Sequence, residues 1–430
     1  MARRELRSAP TRRSPFAVRK SEHPPNHLNL SALKKSGHFP TLVTAFLYFD
    51  YSFMVWTLLG ALAVQIAAPE ALGLSAQQKG FMVALPILSD ACLRILVGLF
   101  SDRLGSKNTG ILAQSIVIAG LACAWIFGLK SYAAVLLLGA VLGFAGASFA
   151  IALPQVGRWY PPHMQGLVLG LAGAGNIGVV LDAILAPRLA AAYGWQNVFG
   201  LAVLPALAVL AAYVIFSKQA PVQITPRKFS DYVRLFREKD THWFCFLYTV
   251  SFGGFVGLAS SLVLYFNSEF GLPAVQAGGF AALCAGAGAL ARPIGGGLAD
   301  RIGGIRSLYY FYGTAGMALL AAGLVHRLPV NCAIFLVASA AFGMANGAVF
   351  QLLPQRFGNE LGVMTGLVGS GGSLGGFVLA TLMGLSTQYF RSPAISLWFF
   401  SALCLVALAG LGLVKTRWRT TWGALAAARI

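Results

Sequence analysis

Apolar stretches of about 20 residues, each enough to cross a hydrocarbon layer of roughly 30 Å as a helix, recur from end to end of this chain. Twelve spans are predicted, at 41–67, 80–101, 109–129, 132–156, 166–190, 197–217, 242–267, 275–299, 307–326, 330–352, 365–388 and 394–414. One long polar interruption divides them. The stretch "SKQAPVQITPRKFSDYVRLFREKDTHW", with two prolines and a dense charge cluster, predicts a linker over 218–241. It separates an N-terminal half of six spans, 41–217, from a C-terminal half of six, 242–414, flanked by a basic tail at 1–40 and a second tail at 415–430.

Composition requires the same solvent. A chain of 430 residues that is 57% hydrophobic and 10% charged, with mean hydropathy +0.72, cannot hide that much apolar surface in a water-soluble core. The fold class expected is an all-α membrane protein with twelve transmembrane helices. Net charge +19 could suggest nucleic acid, but its distribution argues for topology instead. Nine basic residues precede the first span (Arg3, Arg4, Arg7, Arg12, Arg13, Arg19, Lys20, Lys34, Lys35) and six lie in the linker, whereas the opposite side carries only Lys79, Lys130, Arg188, Arg327 and Arg391. The positive-inside rule then puts both termini and the linker in the cytoplasm, with the chain in the cell's inner (plasma) membrane. The basic tail reads either as a solvated topology signal or as a surface for anionic lipid or a partner. It has no apolar core followed by a small-residue cleavage site, so it does not read as a cleaved signal peptide. Six cysteines (Cys92, Cys123, Cys245, Cys284, Cys332, Cys404) are scattered singly, without CxxC or histidine at ligand spacing, and read as small apolar residues. No histidine falls near the middle of a span; His163, for instance, sits in the turn "RWYPPHMQG".

Two internal repeats organise the halves. "ACLRILVGLFSDRLG" and "ALARPIGGGLADRIGG" align Arg94 with Arg292, Gly98 with Gly296, Asp102-Arg103 with Asp300-Arg301, and Gly105 with Gly303, at a constant offset of 198. "LPQVGRWYPPHMQGLVLG" and "LPQRFGNELGVMTGLVGS" align Leu153-Pro154-Gln155 with Leu353-Pro354-Gln355, and Gly166-Leu167-Val168 with Gly366-Leu367-Val368, at offset 200. Parallel copies imply a pseudo-two-fold axis along the membrane normal, with a pathway between the halves at the midplane.

The run Gly98-x-x-x-Asp102-Arg103-x-Gly105-x-Lys107 resembles the signature between spans two and three of the major facilitator superfamily, and 296–306 resembles its weaker copy. More specific are "GLAGAGNIGVVLDAILAPRLA" in the fifth span, "GLVGSGGSLGGFVLA" in the eleventh and the aromatic first span "FLYFDYSFMVWTLLGALAVQIA". With the two arginines, they resemble the nitrate/nitrite porter family of that superfamily, over nearly all of 41–414. The resemblance implies two pseudo-symmetric six-helix halves and secondary active transport of a small inorganic oxyanion, with nitrate or nitrite as substrate.

Counting back from Asp300, Arg292 lies eight residues deeper, about 12 Å at 1.5 Å per residue, and the same holds for Arg94 relative to Asp102. Both guanidinium groups approach the midplane from opposite halves. Snorkelling to the interface is the structural alternative, but a charge near the bilayer centre costs at least about 3 kcal/mol and is usually kept for a substrate or ion path. A planar fork of donors that never deprotonates matches a planar oxyanion in a bidentate way. Asp102, Arg103, Asp300 and Arg301, at the cytoplasmic ends, read as gating residues able to tie one half to the other.

Glycines along the fifth span (Gly166, Gly170, Gly173, Gly175, Gly178) and the eleventh (Gly366, Gly369, Gly371, Gly372, Gly375, Gly376) remove side chains from whole helix faces. Such faces suit close packing of helices or a small cavity; Gly175 and Gly372 are taken as lining the anion site. Asn176 is the lone amide among them, and the resemblance implies that the asparagine of Gly175-Asn176-x-Gly178 contributes to the substrate site. A structural interhelical amide is the alternative. Tyr248 and Phe252 are four apart and share a helix face; the resemblance implies that this face bears a hydroxyl reaching the anion and a ring covering it, with Phe149 covering the other side. Each phenylalanine taken alone also suits a core or lipid-facing role.

Moving an anion inward against an interior-negative potential costs about 2.3 kcal/mol per 100 mV. Uptake therefore needs a counter-anion or co-transported cations. Three acids lie within spans: Asp50, Asp90 and Asp182. Asp50, by resemblance around "FDYSFMVW", and Asp90, one helical turn from Arg94, are the proton-coupling candidates. The alternative for Asp90 is an ion pair that only offsets the burial of Arg94, and Asp182 is expected to face water near the external end. Proton-coupled uptake is the favoured expectation, with nitrate/nitrite antiport as the alternative. An organic-anion or drug exporter on the same fold would need a wider cavity. No nucleophile–base constellation, P-loop or metal spacing appears, so neither an enzyme nor a cofactor is expected, and the partners are the anion, protons and the bilayer around a monomer.

Overall fold

A computed structural model describes residues 30–161, 164–219, 229–357 and 360–422. The basic positions Arg3 to Lys20 and His163 lie outside the described residues. Among those described, ten helices are long and apolar enough to cross a membrane. They include Ala76–Leu104, Ser106–Phe127, Tyr132–Gly157, Trp195–Phe216, Lys239–Phe270, Ala274–Ile302, Leu328–Phe357, Leu361–Phe390 and Ala394–Thr421. These are spans two, three, four, six, seven, eight, ten, eleven and twelve.

The other three spans each depart from a plain apolar rod. Span one is broken into Phe39–Trp56, Leu58–Ala61 and Ala63–Ile66. Span five is interrupted by a 3₁₀ turn, Ala174–Ile177, between Gln165–Gly173 and Gly178–Tyr193. Span nine, Gly304–Ala322, is continuous, but Arg306 and three tyrosines make it the less apolar one. Part of the expected polar linker is also helical. In Phe229–Phe236 the side chains of Tyr232 and Leu235 are buried, and Tyr232 packs beside Gly98 and Gly366, at the ends of spans two and eleven.

Packing repeats as the sequence does. Span two packs on four and three on six in the first half; eight packs on ten and nine on twelve in the second. Between halves the broad interfaces are two against eleven and five against eight, with one meeting seven. A two-fold axis that exchanges the halves converts the first of these interfaces into the second. The repeated glycine of the DR-x-G motif has a local reason as well: Gly105 and Gly303 join consecutive helices in one residue at φ of 83° and 93°, a region closed to most side chains.

The linker and both described chain ends lie on one side of the bundle, here the linker side. On the opposite, far side the halves meet closely. A Cβ on Gly80 of span two would stand 2.6 Å from the Cα of Gly384 of span eleven, a backbone approach that only small residues permit.

Candidate functional site

Arg94 and Arg292 come together around one aromatic ring. The Cζ atoms of Arg94 and Arg292 lie 5.5 and 5.7 Å from the centroid of Phe149. Each guanidinium also faces a ring of the second half: Arg94 at 5.8 Å from Phe252, Arg292 at 5.5 Å from Phe350. Phe149 stands where it does because span four kinks at Ala147 and Ser148, just before Phe149–Gly157 begins.

Tyr248 completes the box. Its ring stacks on Phe252 at 5.1 Å and meets Phe350 edge-on at 5.1 Å, while its hydroxyl is within electrostatic reach of both arginines. Trp56, the last residue before the first break in span one, stacks on Phe252 at 6.4 Å. Aromatic walls exclude water, and a cation held against them interacts more strongly with an anion than it would in solvent.

The two arginines are not equivalent. Arg94, 2% exposed, donates from Nε to Asp90 Oδ1 at 3.1 Å and from Nη2 to Asp90 Oδ2 at 2.6 Å and to the Gly146 carbonyl at 3.3 Å. The ion pair weighed from the sequence is therefore present, one helical turn long. Ser373 of span eleven donates to the same Asp90 Oδ2 at 2.5 Å, from the opposite half. Arg292 has no ion pair among the described residues, and its Nη1 is buried without a hydrogen-bond partner. Burying an unpaired donor of a charged group is expensive.

Asn176 occupies the 3₁₀ turn of span five, which packs on spans one and eight. It is 2% exposed, with its side-chain oxygen buried and unpartnered. The glycines act mainly on helix approach. A Cβ on Gly175 would strike Phe49 and the backbone of Asp50, and one on Gly372 would strike Tyr248 and Phe252. Gly372 thus seats the box aromatics, and Gly175 seats span one against the Asn176 turn. The glycine that makes room for an arginine is Gly369, where a Cβ would come within 2.6 Å of Arg94 Nη1.

One expectation about an acid needs correction. Asp182 does not face water: it is 1% exposed, on a helix that packs on spans one and eight and bonded to Thr57 of span one. Among the described residues, Asp102 makes its ion pair within one half. Its Oδ1 accepts from Arg158 at 2.6 Å, joining spans two and four of one half. Arg103, Asp300 and Arg301 are exposed, with no ion pair among the described residues. Asp50 is half-buried against the Asn176 turn, with Oδ1 unpartnered.

Phe350 and Ser373 belong to the constellation but are not evident from sequence. Applied to Phe149, the repeat of offset 200 lands on Val349, one residue short of the ring that occupies the equivalent place.

A model of the major facilitator superfamily matches residues 42–380. The chain belongs to that superfamily. Within it, the chain is 32% identical over 364 residues to a probable nitrate/nitrite transporter, NarK2, of Mycobacterium tuberculosis, covering 81% of this chain and 89% of the relative. It is 29% identical to a probable nitrate/nitrite antiporter, NarK1, of Thermus thermophilus (85% and 88% covered) and 29% identical to a nitrite extrusion protein of Bacillus subtilis (84% and 90% covered). These relatives agree with the nitrate/nitrite porter resemblance. A bacterial homologue of the human lysosomal transporter Spinster, solved in an inward-facing and occupied conformation, superposes with TM-score 0.67 at 18% identity, covering 87% of this chain and 96% of that one. That likeness supports the fold alone.

Proposed function

We propose that this chain carries nitrate and nitrite across the inner membrane by alternating access, with the anion held between Arg94 and Arg292. The observation that carries the reading is Arg292 Nη1, a buried guanidinium donor without a partner in a box of aromatic rings. Two guanidinium cations and the Asp90 carboxylate leave one net positive charge, which one monovalent oxyanion neutralises. A trigonal oxyanion accepts in the plane of a guanidinium fork and stacks between rings. Tyr248 and Asn176 supply further polar contacts, and Phe149 and Phe252 cover the anion. The site is built between halves of one chain, so the carrier works as a monomer. It is a carrier and not an enzyme.

Both termini and the linker face the cytoplasm on the positive-inside rule. Inward movement of nitrate is then electrically uphill, and coupling to protons makes it downhill. Exchange of nitrate for nitrite is the second reading, favoured by the name of the Thermus relative. Uptake of labelled nitrate and nitrite into proteoliposomes tests both. Wild-type protein should accumulate nitrate under an inward proton gradient without internal nitrite, and Arg292→Lys should abolish uptake. Unchanged uptake by that variant would remove the anion from this site.

A further inference from the structure

We propose that Asp182 is the group that takes up the coupled proton from the external face. This rests on the proton-coupled uptake proposed above and names the carboxylate that serves it.

Asp182 is 1% exposed. Oδ2 accepts from the Thr57 hydroxyl at 2.8 Å, and Oδ1 is buried with no partner. No cation pairs with it among the described residues. Arg188, on the same helix, is exposed and donates to the Ile184 carbonyl. From span one the other facing group is Tyr51, whose hydroxyl donates to the Ala202 carbonyl of span six. Span eight presents Gly278, backbone to backbone. An ionised carboxylate in such a place is uncompensated, whereas Asp90 has a guanidinium and a hydroxyl to hold its charge. The closed far side therefore contains a protonated Asp182.

The position links that proton to closure. A Cβ on Gly278 would stand 2.3 Å from the carbonyl of Ala183, the next residue after Asp182, and one on Gly60 would stand 2.3 Å from the carbonyl of Ser260. The first contact seals span five to eight; the second, one turn beyond Thr57, seals span one to seven. The Thr57–Asp182 hydrogen bond joins the N-terminal partners of both seals. Parting the seals exposes the carboxylate to external water, where it ionises and can accept a proton; closing them favours the neutral form. On that side a hollow of about 400 Å³ at the far surface has Gln65, Glu70, Lys130 and Ala190 among its lining. Gln65 and Ala190 lie eight residues beyond Thr57 and Asp182 along their helices, and Gln65 carries a buried, unpartnered side-chain oxygen.

The test uses full-length protein in liposomes with the membrane potential clamped. A difference of about one pH unit, acid outside, drives about tenfold accumulation per coupled proton. Wild type should show it. Asp182→Asn, nearly isosteric and still able to accept from Thr57, should lose accumulation and pH dependence while nitrate–nitrite exchange at equal pH persists. Exchange also certifies that the variant is folded. Accumulation retained by Asp182→Asn overturns the assignment and leaves coupling to Asp50 or Asp90. Loss of exchange along with accumulation makes Asp182 structural and overturns it too. A wild type indifferent to the gradient refutes the coupling itself, and the assignment with it.

Discussion

Ser373 donates to Asp90 across the boundary between the halves, at 2.5 Å, on the same carboxylate that holds Arg94 at 2.6 Å. One carboxylate thus holds a guanidinium of the proposed anion site and bonds the second half to the first. On the proposed binding mode, a nitrate that takes over Arg94 loosens Asp90, and with it this bond between halves, so that binding and alternation are joined at one residue.

Asp90→Asn removes the competitor but strands Arg94. A buried ion pair broken at one partner costs about 3–5 kcal/mol. The anion-free variant should therefore melt at lower temperature than wild type, and nitrate should stabilise it by a larger increment. Thermal unfolding with and without nitrate reads this directly. Equal nitrate increments in the two proteins would mean that Asp90 and the anion do not share Arg94.

Much of this was legible because the chemistry was written twice. The repeat at offset 198 fixed both arginines, and counting helical rise put them at one depth. Twelve spans followed from apolar length alone. Other features left no such signal. Span one breaks at Thr57 and Leu62 and span five unwinds at Ala174–Ile177 without a proline at any of these points. Phe350 is displaced one residue from the repeat. Ser373, in a run of glycines, looks like any small packing residue until its hydroxyl is placed on Asp90. Hydropathy alone does not say that Asp182 lies on the side of span five that packs against span one.

The ring shared by both arginines should matter more than its apolar character suggests. Phe149→Leu keeps most of the volume but removes two cation–π contacts, each worth about 0.5–2 kcal/mol. We expect weaker anion binding and slower transport with normal insertion, and a smaller effect for Phe350→Leu, whose ring faces Arg292 but not Arg94. Binding by both variants, measured calorimetrically in detergent, checks the ranking. Equal losses would deny Phe149 its central place.

At the linker side the two copies of the motif should now behave differently. Asp102 and Arg158 are 11% and 17% exposed in their pair, so Asp102→Asn frees the end of span two from that of span four. It should slow alternation without changing nitrate affinity, and Arg158→Gln should do the same. Asp300 is exposed, and Asp300→Asn should transport at nearly the wild-type rate. Exchange rates and affinities of the three variants, determined side by side, test this asymmetry; an Asp300 variant as slow as Asp102→Asn would restore the symmetric gate that the repeat suggested.

Asn176 offers the sharpest separation of binding from packing. Its turn is held by Gly175 and Gly178 against the backbone of span one, contacts in which the amide takes no part. Replacing it by Ala should therefore leave the turn in place and remove only the polar group. A hydrogen bond to a charged partner is worth about 1.5–3 kcal/mol, so Asn176→Ala should weaken nitrate binding by roughly 10- to 150-fold, at 1.4 kcal/mol per factor of ten. Asn176→Asp carries the argument further. A carboxylate there repels the anion and should abolish uptake at neutral pH, with partial recovery in acid as the side chain protonates. If Asn176→Ala binds nitrate as wild type does, the amide serves the join between spans five and eight, and the anion is held by the arginines and Tyr248 alone.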